Sequence, residues 1–237
     1  PGRAAHTGFG LFAFGRFDGI NEHGLWVSMS AANPAAPLPE TEGLRFWPLL
    51  RTILDRAAKC EEALDIAKEF PVAFHLNLIV ADRSGHAVLI EKRPDAMGIK
   101  KADSGFLHSE NHYTLPETRA LNTRVFDHSR RRAAFIEETL GAGKQSPESV
   151  KRALSASFPH GLSCHYYSEG FGTLWSIQAD LSKGTLNACF GPPDVKENAF
   201  RTFCPRDPAG FETFEAELKA ETAPEGTWVS EPNEPRP

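Results

Sequence analysis

Apolar residues between Arg45 and Ala58 recur every three or four positions, the spacing of one face of a helix. They are Phe46, Leu49, Leu50, Ile53, Leu54 and Ala57. A second helix is predicted to begin at Cys60, where two acidic residues follow and favour the positive end of the helix dipole. Pro71 should end this second helix, because the residue before a proline avoids the helical conformation.

Two more helices are predicted in the second half of the chain. One runs from Ser129 to Leu140 and stops at the following glycines. The other starts at Ser146-Pro147-Glu148, which offers a capping hydroxyl, a proline at the first helical position and an acid beside it. That helix should end near Ser157.

The remaining apolar runs are short and rich in β-branched and aromatic residues, which is typical of strands. Turn residues at 82–85 and 180–184 indicate two hairpins. The predicted strands are residues 9–14, Leu25–Ala31, Phe74–Ala81, His86–Glu91, Met97–Lys101, Gly105–His108, Thr173–Ala179 and Thr185–Phe190. Strands and helices segregated into blocks favour an α+β fold, with antiparallel sheets and helices packed outside.

A polar stretch precedes the strand that begins at Leu25. Asp18-Gly19 and Asn21 through Gly24 have turn chemistry, because these residue types tolerate positive φ and bond to nearby backbone groups. Leu25-Trp26-Val27 then starts an apolar run. We therefore predict a tight polar turn that delivers a strand into the core.

Composition excludes several classes of function. The chain has 237 residues and a net charge of −5 without a basic block, so no nucleic-acid partner is expected. No apolar run has the length of a membrane span, so no membrane partner is expected either. The four cysteines form no C-x-x-C pair, so neither a zinc site nor any other metal or cofactor is predicted; they are Cys60, Cys164, Cys189 and Cys204.

The ends of the chain differ from its middle. It begins at Pro1 without an initiator methionine or a signal-peptide pattern, and we expect it to be cut from something longer. Sparse cysteine makes the cytoplasm the default location. Secretion is left open, because a missing N-terminal segment could carry a signal peptide. Residues 205–237 hold eight acidic and three basic residues, an imbalance equal to the net charge of the whole chain.

Two regions are therefore predicted, a domain over residues 1–204 and an acidic, proline-rich tail over 205–237. The tail has the composition of a poorly ordered or peripheral segment. Its apolar residues could form one short amphipathic helical turn against the body; they are Phe211, Phe214 and Leu218.

The string from Asp18 to Leu25 resembles the D-G-x-N-E-x-G-L turn of N-terminal-nucleophile hydrolases that cleave linear amides. This family comprises choloylglycine hydrolases, penicillin V acylases and their relatives, the acyl-CoA:6-aminopenicillanic acid acyltransferases. Further segments resemble family motifs in the same order: Phe46-Trp47-Pro48-Leu49 with Glu61-Glu62-Ala63-Leu64, Leu78 to Asp82 with Gly85 and Glu91, Ser109 to Tyr113, Ser129 with Arg132, and Thr173 to Ser176 through Gly191-Pro192. Each motif is short, but the ordered set spans about residues 9–193.

The resemblance implies an αββα sandwich of antiparallel sheets, here incomplete at its N-terminus. It also implies a mechanism in which an N-terminal cysteine attacks the amide carbonyl and its own α-amino group serves as the base. Asn111 matches the family's asparagine that helps to bind the carbonyl oxygen, and Arg132 matches an arginine near the nucleophilic sulfur, where positive charge favours thiolate. The alternatives are an asparagine in a turn and an arginine on a solvated helical face.

Two further residues are candidates for binding the oxyanion or the substrate. Asn33 would need a shift of two residues to match a second oxyanion asparagine, and a loop asparagine before Pro34 is the simpler interpretation. Tyr113 completes an N-H-Y string that leans toward the acyltransferase branch. His75 and Asn77 lie on a predicted strand and are interpreted as structural.

The large departure from the family is the nucleophile, because no cysteine precedes the opening motif. Truncation is the favoured explanation, and this chain alone is then expected to be inactive. Cys164-His165 is the one adjacent pair, but neighbours on a strand point to opposite faces and cannot form a dyad. Cys164 is therefore interpreted as a core cysteine.

Three functions follow from these observations. The first is hydrolysis of a non-peptide linear amide through an acyl-enzyme, and the second is transfer of the acyl group to an amine. The third is an inactive binding domain on the same fold. The expected partner is a small-molecule amide or acyl substrate, and a homo-oligomer is left open.

Overall fold

The computed structural model describes residues 2–10, 15–32, 37–40, 42–102, 105–207 and 212–232. The helices are α1 Phe46–Arg56, α2 Cys60–Glu69, α3 Asp127–Leu140 and α4 Pro147–Leu154. The strands are β1 His6–Thr7, β2 Asp18–Asn21, β3 Trp26–Ala31, β4 Leu76–Ala81, β5 Ala87–Arg93, β6 Ala96–Ala102, β7 Arg124–Phe126, β8 Trp175–Asp180, β9 Thr185–Phe190, β10 Phe200–Phe203 and β11 Ser230–Pro232. None of the helices in the described ranges is long and apolar enough to cross a membrane.

The first six strands form one antiparallel sheet in chain order. Alternate side chains of β3, β4 and β5 turn apolar groups toward α1 and α2, and these fill the main core. The apolar face of α1 supplies Leu49, Leu50, Ile53 and Leu54, all with no exposed surface. Burial of each such side chain contributes about 2 kcal/mol, which explains why the helical periodicity predicted this layer.

A second antiparallel sheet, in the order β10-β9-β8, packs on the opposite face of the first. Ile20 of β2 meets Leu186 and Ala188 of β9, and Phe9 stacks on Trp175 with ring centroids 4.7 Å apart. Helix α4 covers the outer face, where Gln178 donates to the carbonyl of Pro147. The layers are thus helix, sheet, sheet and helix, as the family resemblance implied.

The helix and hairpin predictions are confirmed to within a few residues. Ser146 caps α4 as predicted, since its hydroxyl accepts from the N–H of Ser149 and its own N–H donates back to Ser149 Oγ. The 82–85 turn closes with Gly85 at φ +91°. Pairings that were not predicted include β1 with β2, β7 with β11 and β9 with β10.

Four expectations were wrong or lie outside the described residues. Residues 105–108 form no strand, because this loop bonds through side chains rather than to a neighbouring strand. Asp18-Gly19 belongs to a fully buried strand, not a turn; a Cβ on Gly19 would lie 2.6 Å from the carbonyl oxygen of Thr7. Residues 212–224 contain no helix, so the amphipathic turn is wrong for them. Residues 11–14 and Phe211 lie outside the described residues.

The C-terminal segment packs on the body. Phe214 stacks on Phe190 at 4.5 Å, and Trp228 stacks on Phe171 at 4.1 Å. β11 pairs with β7 immediately before α3. Aromatic stacking and strand pairing together hold this segment on the body, and its acidic composition did not indicate that packing.

Candidate active site

The two residues predicted to be catalytic lie side by side. Arg132 Nη2 donates to Asn111 Oδ1 at 2.5 Å, and Asn111 Nδ2 donates to the carbonyl oxygen of Ala31 at 2.9 Å. Asn111 is thereby held at the C-terminal end of β3. A guanidinium only donates, so the oxygen of the amide must face Arg132 and its nitrogen must face the carbonyl of Ala31.

The loop that carries Asn111 is fixed from the sheet below it. Ser30 Oγ donates to the carbonyl oxygen of Glu110 at 2.5 Å. Asn77 Nδ2 donates to the carbonyls of Glu110 and His112, each at 3.0 Å. Ser30 and Asn77 are paired neighbours on β3 and β4 and share one face of the sheet. Asn77 is structural, as expected, and its task is to hold the loop.

Glu91 of β5 fixes the same loop on the far side of Asn111. Its buried carboxylate accepts from the N–H of Thr114 at 2.6 Å, the hydroxyl of Thr114 at 2.8 Å and the N–H of Leu115 at 3.1 Å. A fourth donor is the hydroxyl of Thr118. Charge-assisted bonds of this kind are about twice as strong as neutral ones. The family motif that ends at Glu91 therefore supports the site through backbone contacts.

Tyr113, a candidate for contact with substrate, packs inside the loop. Its side chain is buried, and its hydroxyl donates to the carbonyl of Lys92 at 3.1 Å. Asn122 closes the loop around it by accepting from the N–H and donating to the carbonyl of Tyr113. The other candidate for the oxyanion, Asn33, lies outside the described residues.

The first turn of α3 supplies the second wall. Ser129 Oγ accepts from the N–H of Asn111 at 2.9 Å and lies 2.9 Å from His112 Nδ1. Arg132 lies one turn further on, three residues along the same inward face. Its neighbour Arg131 points outward and pairs with Asp127 at 2.5 Å. The S-x-x-R spacing thus selected an arginine that points toward Asn111.

Arg132 is held in an environment of low polarity. Burial lowers its pKa, while the charge of nearby Glu110 opposes that effect. Its Nε is buried and has no hydrogen-bond partner among the described residues. A buried cation next to an asparagine amide is an arrangement that binds a developing oxyanion and favours a thiolate.

Cys164 and His165 have separate environments, although they lie in a loop and not on the strand that the sequence argument assumed. The thiol of Cys164 is buried with Phe158 and Tyr166, and this burial raises its pKa despite the charge of Arg132. His165 Nε2 lies 2.7 Å from Asp194 Oδ2, and Asp194 also accepts from the hydroxyls of two serines. The pair forms no dyad.

The polar residues of the opening motif act in the architecture. Asp18 accepts from the N–H of Phe9 and from Trp175 Nε1, each at 2.9 Å, and so joins the two sheets. Burial raises the pKa of Asp18 to about 6. Asn21 ties the turn to the end of α1, and Gly24 adopts φ +80°, which favours glycine.

One group of possible metal ligands lies within the described chain, at the opposite end of β4 from Asn77. Donor atoms of Glu61, Asp82 and His86 lie within 4.8 Å of one another. Both carboxylate oxygens of Asp82 already accept protein donors, from Cys60 and Ser84. The carboxylate therefore serves as a cap for α2 and the hairpin turn.

Sequence reasoning missed Ser30, His108 and Glu110 as residues of this site. Ser30 lies on β3, on the face of the sheet that contacts the loop of Asn111. Glu110 is a buried carboxylate beside Asn111. Polar residues at positions that the strand alternation assigns to the interior were the available signal. Glu110 lies in a loop, where no strand or helix periodicity indicates which side chains are buried.

Comparison with known proteins identifies relatives of the chain. The profile of the acyl-coenzyme A:6-aminopenicillanic acid acyl-transferase family matches residues 5–195. None of the curated proteins matches.

Two solved structures show the same fold. Two variants of the conjugated bile acid hydrolase from Clostridium perfringens align at 11% identity, with TM-scores of 0.52 and 0.53. The alignments cover 92% and 94% of this chain and 83% and 84% of the hydrolase chains. Penicillin V acylase from Agrobacterium tumefaciens aligns at 24% identity over 38% of this chain and 30% of its own, with a TM-score of 0.31.

Proposed function

The chain belongs to the acyl-coenzyme A:6-aminopenicillanic acid acyl-transferase family, and from this premise we propose that it cleaves a non-peptide linear amide. The proposed reaction breaks the C–N bond of a small-molecule amide and passes through a cysteine acyl-enzyme. The fold of a bile acid hydrolase supports a hydrolase or acyltransferase as the class of enzyme. The observation that carries the proposal is the contact between Arg132 and Asn111.

Asn111 is proposed to bind the oxyanion. An amide nitrogen carries two hydrogens, and Asn111 uses one of them on the carbonyl of Ala31. The second remains for a carbonyl oxygen of the substrate. Because Arg132 fixes the orientation of the amide, this donor needs no reorganisation when negative charge develops.

The nucleophile is proposed to be an N-terminal cysteine that lies upstream of Pro1 in the mature protein. Its thiol gives a proton to its own α-amino group and adds to the amide carbonyl. The C–N bond then breaks, the amine leaves with that proton, and a thioester remains. Burial raises the pKa of the thiols of Cys60, Cys164 and Cys189, which argues against each of them as the nucleophile.

Transfer of the acyl group to an amine is the second candidate, favoured by the description of the matching family. Both reactions share the thioester, and they differ in whether water or an amine attacks it. A nucleophile-free binding protein is the third candidate, and the same experiment addresses it.

The test uses the full-length natural gene product. Its mature N-terminus is sequenced, and it is then incubated with N-acyl-4-nitroanilides of increasing acyl length, with and without 6-aminopenicillanic acid. Intact mass after rapid quenching detects the acyl-enzyme. Release of 4-nitroaniline alone indicates hydrolysis, and an acylated 6-aminopenicillanic acid indicates transfer.

Asn111→Ala should lower kcat by about 100- to 1000-fold, the usual loss for one oxyanion donor. Arg132→Ala should lower kcat and raise the pKa of the reactive thiol. Arg131→Ala is the matched control and should leave both unchanged, because Arg131 pairs with Asp127 on the outer face of α3. A mature protein without an N-terminal cysteine, or one that forms no acyl-enzyme with any anilide, would overturn the proposal.

A further inference from the structure

His108 lies between two carboxylates of different elements. Its Nδ1 is 2.9 Å from Glu110 Oε1 in the same loop, and its Nε2 is 3.3 Å from Glu137 Oε1 on α3. Phe106 stacks on the ring with centroids 5.5 Å apart. The two carboxylates are the charged groups that face this imidazole among the described residues.

The position of these carboxylates determines the protonation of the ring. A neutral imidazole carries one N–H and can donate to one carboxylate, whereas an imidazolium donates to both. The hydrogen bond to Glu110, followed by the charges of both acids, raises the pKa of His108. The protonated form therefore joins the 105–112 loop to α3, the two elements that carry Asn111 and Arg132.

Glu110 is fixed by its backbone and by one of its two oxygens. Its side chain is 1% exposed, and its carbonyl oxygen accepts from Ser30 and Asn77. Its Oε2 is buried and has no hydrogen-bond partner among the described residues. Nε of Arg132 is likewise buried without a hydrogen-bond partner among the described residues. Burial lowers the pKa of Arg132, and the charge of Glu110 is the largest effect that opposes this.

We propose that Glu110 and His108 are positioning residues, in which the imidazolium of His108 holds the loop of Asn111 against α3 through Glu110 and Glu137. This bridge keeps the guanidinium of Arg132 on α3 aligned on the amide of Asn111 in the loop. The catalytic consequence rests on the proposed function, whereas the arrangement itself does not.

The arrangement depends on pH in a defined direction. Because the folded pKa of His108 is raised, the bridge is complete below the ordinary pKa of histidine and is lost as the pH rises through the folded pKa. Loss of the second N–H releases one carboxylate, which loosens the loop against α3. The alkaline limb of kcat should therefore follow the titration of His108.

The experiment compares full-length wild-type protein with Glu110→Gln, His108→Gln and Glu138→Gln. Glu138 is an exposed neighbour of Glu137 and serves as the matched control. NMR follows the titration of His108 and the Nε–H resonance of Arg132, which is assigned from its absence in Arg132→Lys. Steady-state kinetics give kcat and KM across pH.

In Glu110→Gln we expect the Arg132 resonance to shift, the pKa of His108 to fall and kcat to drop about 10- to 100-fold, the range known for outer partners that orient functional ligands. KM should stay unchanged, and the alkaline limb should move to lower pH. His108→Gln, at a partly exposed position, should abolish that limb even if Glu110→Gln fails to fold.

Each part of the result has a separate meaning. An Arg132 resonance and a kcat that match those of Glu138→Gln would overturn the proposal. If the wild-type protein forms no acyl-enzyme, the proposed function fails, and the resonance of Arg132 still decides whether Glu110 and His108 position it.

Discussion

Replacement of Asn21 by alanine should destabilise the protein strongly although Asn21 lies in the motif that resembles those of amidases. Its side chain has no exposed surface and makes four hydrogen bonds. Nδ2 donates to the carbonyls of Leu54 at 3.1 Å and Ala57 at 2.7 Å, at the end of α1. Oδ1 accepts from the N–H groups of His23 and Leu25, each at 3.1 Å.

The magnitude follows from these four bonds. Each contributes a net of about 1 kcal/mol, so Asn21→Ala should lower the free energy of unfolding by about 4 kcal/mol. In a chain of this size, that loss corresponds to a fall in Tm of about 8–16 °C. The backbone N–H of Asn21 also donates to the carbonyl of Leu25, and alanine retains that bond.

Urea and thermal unfolding, followed by far-UV circular dichroism, would measure the effect. Asn187→Ala is the control, because Asn187 accepts one bond from Thr202 at an exposed strand pair and should lose about 1 kcal/mol or less. If Asn21→Ala costs no more than this control, the turn does not depend on its asparagine and the reasoning is refuted.

Asn21→Asp tests the direction of the bonds. The carboxylate keeps the acceptor for His23 and Leu25 but turns a second oxygen toward the carbonyls of Leu54 and Ala57. Burial against these oxygens should raise the pKa of the new acid. The loss of stability relative to wild type should therefore be larger at pH 7 than at pH 4, and a loss independent of pH would contradict the assignment.

Two further predictions concern the packing of the sheets and of the C-terminal segment. Because burial raises the pKa of Asp18 to about 6, the wild-type free energy of unfolding should fall by up to about 3 kcal/mol as pH rises from about 4 to about 6. Asp18→Asn should flatten this part of the urea-stability profile, and an unchanged slope would contradict it. Trp228→Ala should lower the free energy of unfolding by about 2 kcal/mol, because the ring stacks on Phe171. This loss is below the range for a fully buried tryptophan, because the side chain is only partly buried. Calorimetry should show no comparable loss for Leu218→Ala, whose side chain is largely exposed.

Much of the fold was predictable because its information is local. The apolar spacing of residues 45–58 is enough to place one face of α1 on a sheet, and the short apolar run within Leu76–Ala81 is enough to predict strand β4. The capping hydroxyl of Ser146 and the glycine of the 82–85 turn are likewise read over a few residues.

The errors arose where distant contacts outweighed local preference. Asp18-Gly19 has turn chemistry, but Asp18 finds its partners in Phe9 and in Trp175 of the other sheet. Phe214 was expected in a short helical turn, and it instead stacks on Phe190 of β9 in a segment without a helix. A pattern of residue types along the chain does not show which distant side chains will meet in the folded protein.

The sequence by itself determined the α+β class, the positions of the main helices and hairpins, and the two residues, Asn111 and Arg132, for which catalytic roles are proposed. Only the tertiary structure decided how these two meet. Asn111 donates to a carbonyl 80 residues away in the sequence, and buried carboxylates from β5 and from its own loop fix its surroundings. Periodicity encodes which face of an element is buried, but the identity of the group opposite that face depends on the packing of the whole chain.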